Sequence, residues 1–190
     1  GKKISVDSAT LMNKVLELTE AVKLFSFDSD KYEIVIHPQS LIHAIVKLKN
    51  GITYFLYHVP DMKIPISNAL LEGKFDYSKY FKDKNLNNLS NQNLEFLPVD
   101  KKKFTTLNLI HEMNSTESAP IIINAANEIF VDEFLKNNIH FNDISAYLKL
   151  VLKDKDYIKT SNMHSNSVKN IYKIDSWSRH LAYKIIRKKN

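Results

Sequence analysis

Residues able to do chemistry gather near the start of the chain. Asn13, Lys14 and Glu17 stand at spacings of one, three and four. At about 100° per residue they fall in a single sector of a helix, so their side chains can converge on one ligand. Together they offer an amide for hydroxyl groups, an ammonium for negative charge and a carboxylate for a hard cation. Ser8 precedes them, and a hydroxyl at the N-terminal end of a helix, beside free N–H groups, suits a phosphate. Spacing alone favours a plainer account: Ser8 as a cap, Lys14 and Glu17 as an exposed ion pair worth a few tenths of a kcal/mol, and Asn13 as a solvated amide.

Elsewhere the residues are less pointed. His37 and His43 flank strand-like segments, and His37 before Pro38 suits a hydrogen-bonded turn. Asn124, Asn127 and Glu128 suit a buried polar network, with Ala125 and Ala126 permitting close packing. Trp177 is expected to anchor the last helix in the core. Lys101, Lys102 and Lys103 form a solvated helix start.

The elements that must position these groups follow from patterning. Leu11, Val15, Leu18, Val22 and Phe25 recur as the stripe of an amphipathic helix, with Asp7 and Ser8 as natural caps. Tyr32 to Ile36 reads as a buried strand stopped by His37-Pro38. Residues 41–59 read as a hairpin turning at Lys49-Asn50-Gly51, and a short helix runs from Pro65 to about Glu72, ended by Gly73. An Asn-rich, low-complexity stretch suits a linker. Beyond it the spacing predicts helices over Lys102–Met113, Ala119–Lys136, Asn142–Lys153 and Asp175–Lys189, as in a small four-helix bundle. The expected class is α+β: a mostly antiparallel sheet with helices over residues 1–72, a linker over 73–98, and a helical domain over 99–190.

Composition narrows the function. The 190 residues are 44% hydrophobic, enough to bury a core, and none is cysteine. Thiolate nucleophiles, Cys-ligated zinc and disulfide scaffolds are thereby excluded. No apolar run approaches the ~20 residues needed to span a bilayer, so no membrane partner is expected. The net charge of +6 favours anionic partners. Arginine occurs only at 179 and 187, which argues against nucleic acid, where bidentate contacts favour Arg over Lys.

Four segments carry a resemblance. Gly1 to Lys14, GKKISVDSATLMNK, resembles the G-[RK]-K-I-[ST]-[VI]-[DN]-S-A-T-[ML]-M-N-K signature of the deoxyxylulose phosphate reductoisomerases, and Glu17 follows as in that pattern. Residues 36–43 match I-H-P-Q-S-x-[IV]-H, residues 60–66 match P-D-M-[RK]-x-P-I, and residues 124–128 match N-A-A-N-E. The resemblance implies an NADPH-dependent enzyme that rearranges 1-deoxy-D-xylulose 5-phosphate and reduces the product to 2-C-methyl-D-erythritol 4-phosphate, in non-mevalonate isoprenoid synthesis. It implies that Ser8 binds the substrate phosphate, that Asn13 and Lys14 bind hydroxyl and phosphate groups, and that Glu17 ligates Mg²⁺ or Mn²⁺ against the substrate. Gly1, Ser40, Pro60 and Met62 fall where the family contacts NADPH, and His43 lies in its active-site neighbourhood as a catalytic candidate.

The resemblance further implies a homodimer, to which strands near 33–59 could contribute by pairing across a two-fold axis. A purely structural or dimerising module is the rival expectation, and a basic RNA-binding bundle a weaker one. The family's Rossmann-like NADPH domain, its Asp-Ser-Glu metal ligands and its mobile loop are missing from these residues. A longer protein is therefore expected, with this chain holding the substrate side of the site and inert alone. The Lys- and Asn-rich composition is similar to that of apicomplexan members, which implies a plastid (apicoplast) location.

Overall fold

The structure, a computed structural model, describes residues 1–80 and 93–189. Its contacts divide the chain into two compact units: Gly1–Ile34 joined with Asp100 to the C-terminus, and Val35–Val99. This division differs from the expected boundaries at 72 and 98. The first 34 residues pack with the helices that follow Asp100. Much of the expected linker, residues 81–92, lies outside the described residues. Its end does not: Leu97–Pro98 forms a strand.

The first unit opens with two helices, α1 (Lys2–Ala9) and α2 (Met12–Phe25), where one was expected. Leu11 separates them in a left-handed conformation at φ +60°. Met12, Val15, Leu18 and Thr19 are buried, whereas Phe25 at the end of the expected stripe is exposed. Lys102–Met113 is not one helix. Asp100 accepts the N–H groups of Lys102 and Lys103 and fixes a turn. A 3-10 turn over Thr105–Asn108 follows, then α5 (Leu109–Met113).

The long helices match the apolar spacing more closely. They are α6 (Ala119–Leu135), α7 (Phe141–Leu152) and α9 (Val168–Lys189), with a short α8 (Tyr157–Ser161) that patterning did not reveal. Helix α9 starts seven residues earlier than expected. Its buried face is Ile174, Ser178, Leu181, Ala182, Ile185 and Ile186, which leaves Trp177 half-buried beside the core instead of in it. Helix α6 is the centre of the unit and packs on α1, α7 and α9. Ile122, Ile123, Phe130, Ile144, Leu148 and Ile174 are fully buried there, with Phe130 edge-on to Tyr147 at 5.6 Å. The helical part is thus larger than a four-helix bundle, because α1, α2 and α5 belong to it.

The second unit holds the strands, all antiparallel. Strand β2 (Ile42–Lys47) pairs with β3 (Thr53–Tyr57) as the expected hairpin, turning at Gly51 with φ +90°. Strands β1 (Val35–Ile36) and β4 (Leu97–Pro98) form a second, shorter pair. The buried strand expected over Tyr32–Ile36 is only these two residues, and Val35 is exposed. Helix α3 (Lys63–Leu70) starts two residues before Pro65, because the Asp61 carboxylate accepts the Lys63 N–H. Pro65 sits within the first turn, where its missing N–H costs nothing. A single turn, α4 (Tyr77–Tyr80), ends the first described stretch. Among the described residues no helix is long and apolar enough to cross a membrane.

Candidate functional site

Helix α2 gathers three of the four leading candidates. The Asn13 amide donates to Glu17 Oε1 at 2.5 Å, and Lys14 Nζ sits 2.5 Å from Glu17 Oε2. The Lys14 and Glu17 side chains are 48% and 46% exposed, so this polar face is open and can exchange its internal partners for a ligand. As the first-turn residues of α2, Asn13 and Lys14 also carry N–H groups with no carbonyl four residues back inside the helix.

Ser8 departs from expectation. It lies at the C-terminal end of α1, exposed, with its carbonyl accepting the Leu11 N–H at 3.2 Å. It therefore caps no helix and gains nothing from a helix N-terminus. The anion-favouring end belongs instead to α2, at Asn13 and Lys14.

The turn between α1 and α2 is held from far along the chain. Asp7, 1% exposed, takes Lys3 Nζ at 2.6 Å and the Asn127 amide at 2.8 Å. Asn127 is itself fully buried on α6. The Thr106 hydroxyl donates to the Thr10 carbonyl, and the Met12 N–H donates to Thr10 Oγ1 at 3.3 Å. A leucine in the left-handed region costs about 1–2 kcal/mol, so these contacts hold the chain in a form that its local sequence disfavours. Sequence reasoning took Asp7 for a cap and missed Thr106.

The N-A-A-N-E segment is a polar network only in part buried. Asn124 reaches Glu128 at 3.5 Å, and Arg179 bridges Glu128 at 2.6 Å and Asp175 at 2.8 Å. Those two carboxylates hold the guanidinium charged, pushing its pKa further up.

In the second unit the hairpin brings the other candidates to one end. Ser40 precedes β2 in a left-handed conformation at φ +54°, Pro60 and Met62 follow β3, and the His58 N–H bonds the Leu41 carbonyl at 3.1 Å. Ser40, Pro60 and Met62 are all exposed. His43 sits where the strand register slips between Ile42 and Ala44, a bulge of the kind that re-aims a side chain. Its ring stacks on His58 at 3.7 Å, with Nδ1 3.1 Å from the Leu41 carbonyl. His37 is a turn residue as expected, its Nδ1 2.7 Å from the Glu95 carbonyl and its ring on Phe96. Gly1, in the first unit, is the exposed cap of α1.

The donor set for a metal is thin. Among the described residues no three His, Asp or Glu side chains cluster to hold an ion. Mg²⁺ demands six oxygen ligands, commonly from one or two carboxylates, waters and phosphates. Glu17 could supply one of them, and these residues do not make a Mg²⁺ site by themselves.

Comparison with known proteins places this architecture. Residues 58–181 match the profile of the DXP reductoisomerase C-terminal domain, and residues 1–25 match that of the 1-deoxy-D-xylulose 5-phosphate reductoisomerase C-terminal domain. The fold is thus that of a reductoisomerase C-terminal region. A 1-deoxy-D-xylulose 5-phosphate reductoisomerase from the Wolbachia of Brugia malayi is 41% identical over 192 residues, covering 100% of this chain and 47% of that protein. One from Pelagibacter ubique is 36% identical over 178 residues, covering 93% and 45%. A solved DOX-P reductoisomerase in complex with NADPH, fosmidomycin and magnesium superposes with a TM-score of 0.89 at 35% identity, over 98% of this chain and 46% of that one. The enzyme from Zymomonas mobilis in complex with NADPH gives 0.80 at 34% identity, over 96% and 47%. The chain belongs to the 1-deoxy-D-xylulose 5-phosphate reductoisomerase family. It spans about half the length of the curated relatives it matches.

Proposed function

We propose that this chain is the substrate side of an NADPH-dependent reductoisomerase that converts 1-deoxy-D-xylulose 5-phosphate to 2-C-methyl-D-erythritol 4-phosphate. The observation that carries the reading is the open face of α2, where Asn13, Lys14 and Glu17 already touch one another. Lys14 can leave Glu17 for a phosphate oxygen, since an exposed ion pair of this kind holds by less than about 1 kcal/mol. Asn13 supplies an amide to a substrate hydroxyl, and the first-turn N–H groups of α2 add partial positive charge. Ser8 offers its hydroxyl to the phosphate as an exposed side chain.

Glu17 contributes one carboxylate towards a divalent cation, Mg²⁺ or Mn²⁺, whose other ligands come from outside these residues. Gly1, Ser40, Pro60 and Met62 are proposed NADPH contacts, and NADPH supplies the hydride when bound. His43 is proposed to meet the substrate directly, as its place on a bulge suits. A Rossmann-like domain elsewhere in a longer chain would hold the rest of the nucleotide.

The test is Glu17→Gln in the full-length protein, with Mg²⁺ saturating. Turnover is expected to fall by roughly 100-fold or more, the scale of losing a group that acts on reacting charge. The unfolding midpoint should stay close to wild type, because Glu17 is exposed. Wild-type turnover would remove the metal role.

A second reading has its own observation. Val46, Tyr54, Phe55 and Leu56 on the hairpin are exposed, and an apolar surface of this kind suits a homodimer contact. In that reading this region assembles the enzyme without joining its chemistry.

A further inference from the structure

On the substrate-binding reading, Ser8 on α1 and Asn13 on α2 serve one phosphorylated ligand, and a continuous helix would turn them to different sides. At about 100° per residue, five positions would set them about 140° apart around one axis. The break at Leu11 ends that relation, with α1 and α2 in contact on either side of it. Leucine does not choose this conformation by itself. What holds it lies elsewhere. The Thr106 hydroxyl, on a residue 2% exposed, donates to the Thr10 carbonyl from 96 residues away. The Asn127 amide grips the buried Asp7 carboxylate from 120 residues away, and its own Oδ1 finds no partner among the described residues. Leaving that oxygen buried and unpaired costs free energy, which the bond to Asp7 helps to offset.

We propose that Thr106 and Asn127 are positioning residues of the Ser8–Glu17 face. They hold the α1–α2 turn, through Thr10 and Asp7, in the form that presents Ser8, Asn13 and Lys14 together, without touching substrate. The inference rests on the substrate-binding reading of that face.

The experiment uses the full-length protein with Thr106→Val, which keeps the side-chain shape and removes the hydroxyl, and Thr106→Ser as the conservative rescue. Asn127→Leu serves as a second probe of the same turn. Amide hydrogen exchange reads the turn directly. Peptides spanning residues 8–14 should exchange roughly tenfold faster in Thr106→Val, the scale of one lost hydrogen bond. Peptides from α7 and α9 should not change, and Thr106→Ser should match wild type. With 1-deoxy-D-xylulose 5-phosphate as the probe, KM should rise roughly tenfold in Thr106→Val with kcat within about threefold, the mark of lost binding rather than lost chemistry.

Equal behaviour of the Val and Ser variants would overturn the proposal. So would faster exchange spread evenly over the helical unit, which is the mark of a merely structural residue. Ser8→Ala and Lys14→Met separate the two layers of the argument. If those raise KM and Thr106→Val does not, the tether fails while the substrate reading stands. If they leave KM unchanged, the substrate reading falls, and the positioning role falls with it even where exchange shows a loosened turn.

Discussion

The helical unit and the hairpin unit spend their apolar residues in opposite ways. In the helical unit Met12, Val15, Ile122, Phe130, Ile144, Leu148 and Ile174 are essentially sealed from water. In the hairpin unit Ile64, still 8% exposed, is the one buried apolar side chain among the described residues, while Val46, Leu48, Ile52, Tyr54, Phe55 and Leu56 face solvent. A two-stranded hairpin is marginal by itself. One region therefore carries its own core, whereas the described residues of the other do not form one. The helical unit's stability can be reasoned from its own packing, whereas the hairpin's apolar side chains lie open to solvent.

That contrast can be broken at its strongest point first. Phe130→Ala should lower the unfolding free energy of the helical unit by about 3–5 kcal/mol, through lost burial and a cavity. Denaturant titration followed by helical circular dichroism reads this directly. A loss below about 1 kcal/mol would mean that the core is looser than its burial indicates.

The hairpin should respond in the opposite sense. Tyr54→Ser with Leu56→Ser should shift stability by less than about 1 kcal/mol, because these side chains are already exposed. The same pair should weaken self-association of the full-length protein, measured by analytical ultracentrifugation. Unchanged association with a large stability loss would show that the hairpin is covered within its own chain and not by a second copy.

The smallest effect lies at a surface clasp of the helical unit. His164 Nδ1 lies 3.0 Å from Glu117, and the Ser165 N–H and hydroxyl donate to the same carboxylate at 2.8 Å each. Foremost the His164 contact, then those from Ser165, hold the Glu117 carboxyl down at about 2, from an ordinary 4.5. A carboxyl lowered in the folded state stabilises above its unfolded pKa and loses that contribution as pH falls through its folded one. Wild type should therefore unfold at a higher temperature than Glu117→Gln at pH 5, with the gap closing between about 4.5 and 2. A gap that is independent of pH would assign the clasp to shape rather than charge.

How much of this was legible depends on whether a feature lives in local spacing. The long helices α6 and α7 were readable because their apolar residues recur at helical period, and the hairpin because Asn50-Gly51 sits between two strand-like runs. Helix α9 was read only from Asp175, although Val168, Ile171 and Ile174 already recur at helical spacing in its first turns. The residue types of the α2 face were legible, and the signature around them gave each a role. The break at Leu11 was not. Nothing in a leucine announces a left-handed backbone, and tertiary contacts impose it. The same holds for Asp7, whose partner Asn127 stands 120 positions away. Ser8 was misplaced for that reason: with α1 and α2 read as one helix start, it looked like a cap.

The discontinuous make-up of the helical unit has a consequence for how the chain is made. Residues 1–34 leave the ribosome well before the helices they pack against, which begin after Asp100. At ribosomal rates that interval is on the order of several seconds, long compared with helix formation. Throughout it Met12, Val15 and Leu18 have no α6 to cover them. The polar face of α2 is therefore the part of its helix that water can tolerate first, while the apolar side waits for the helices made after Asp100.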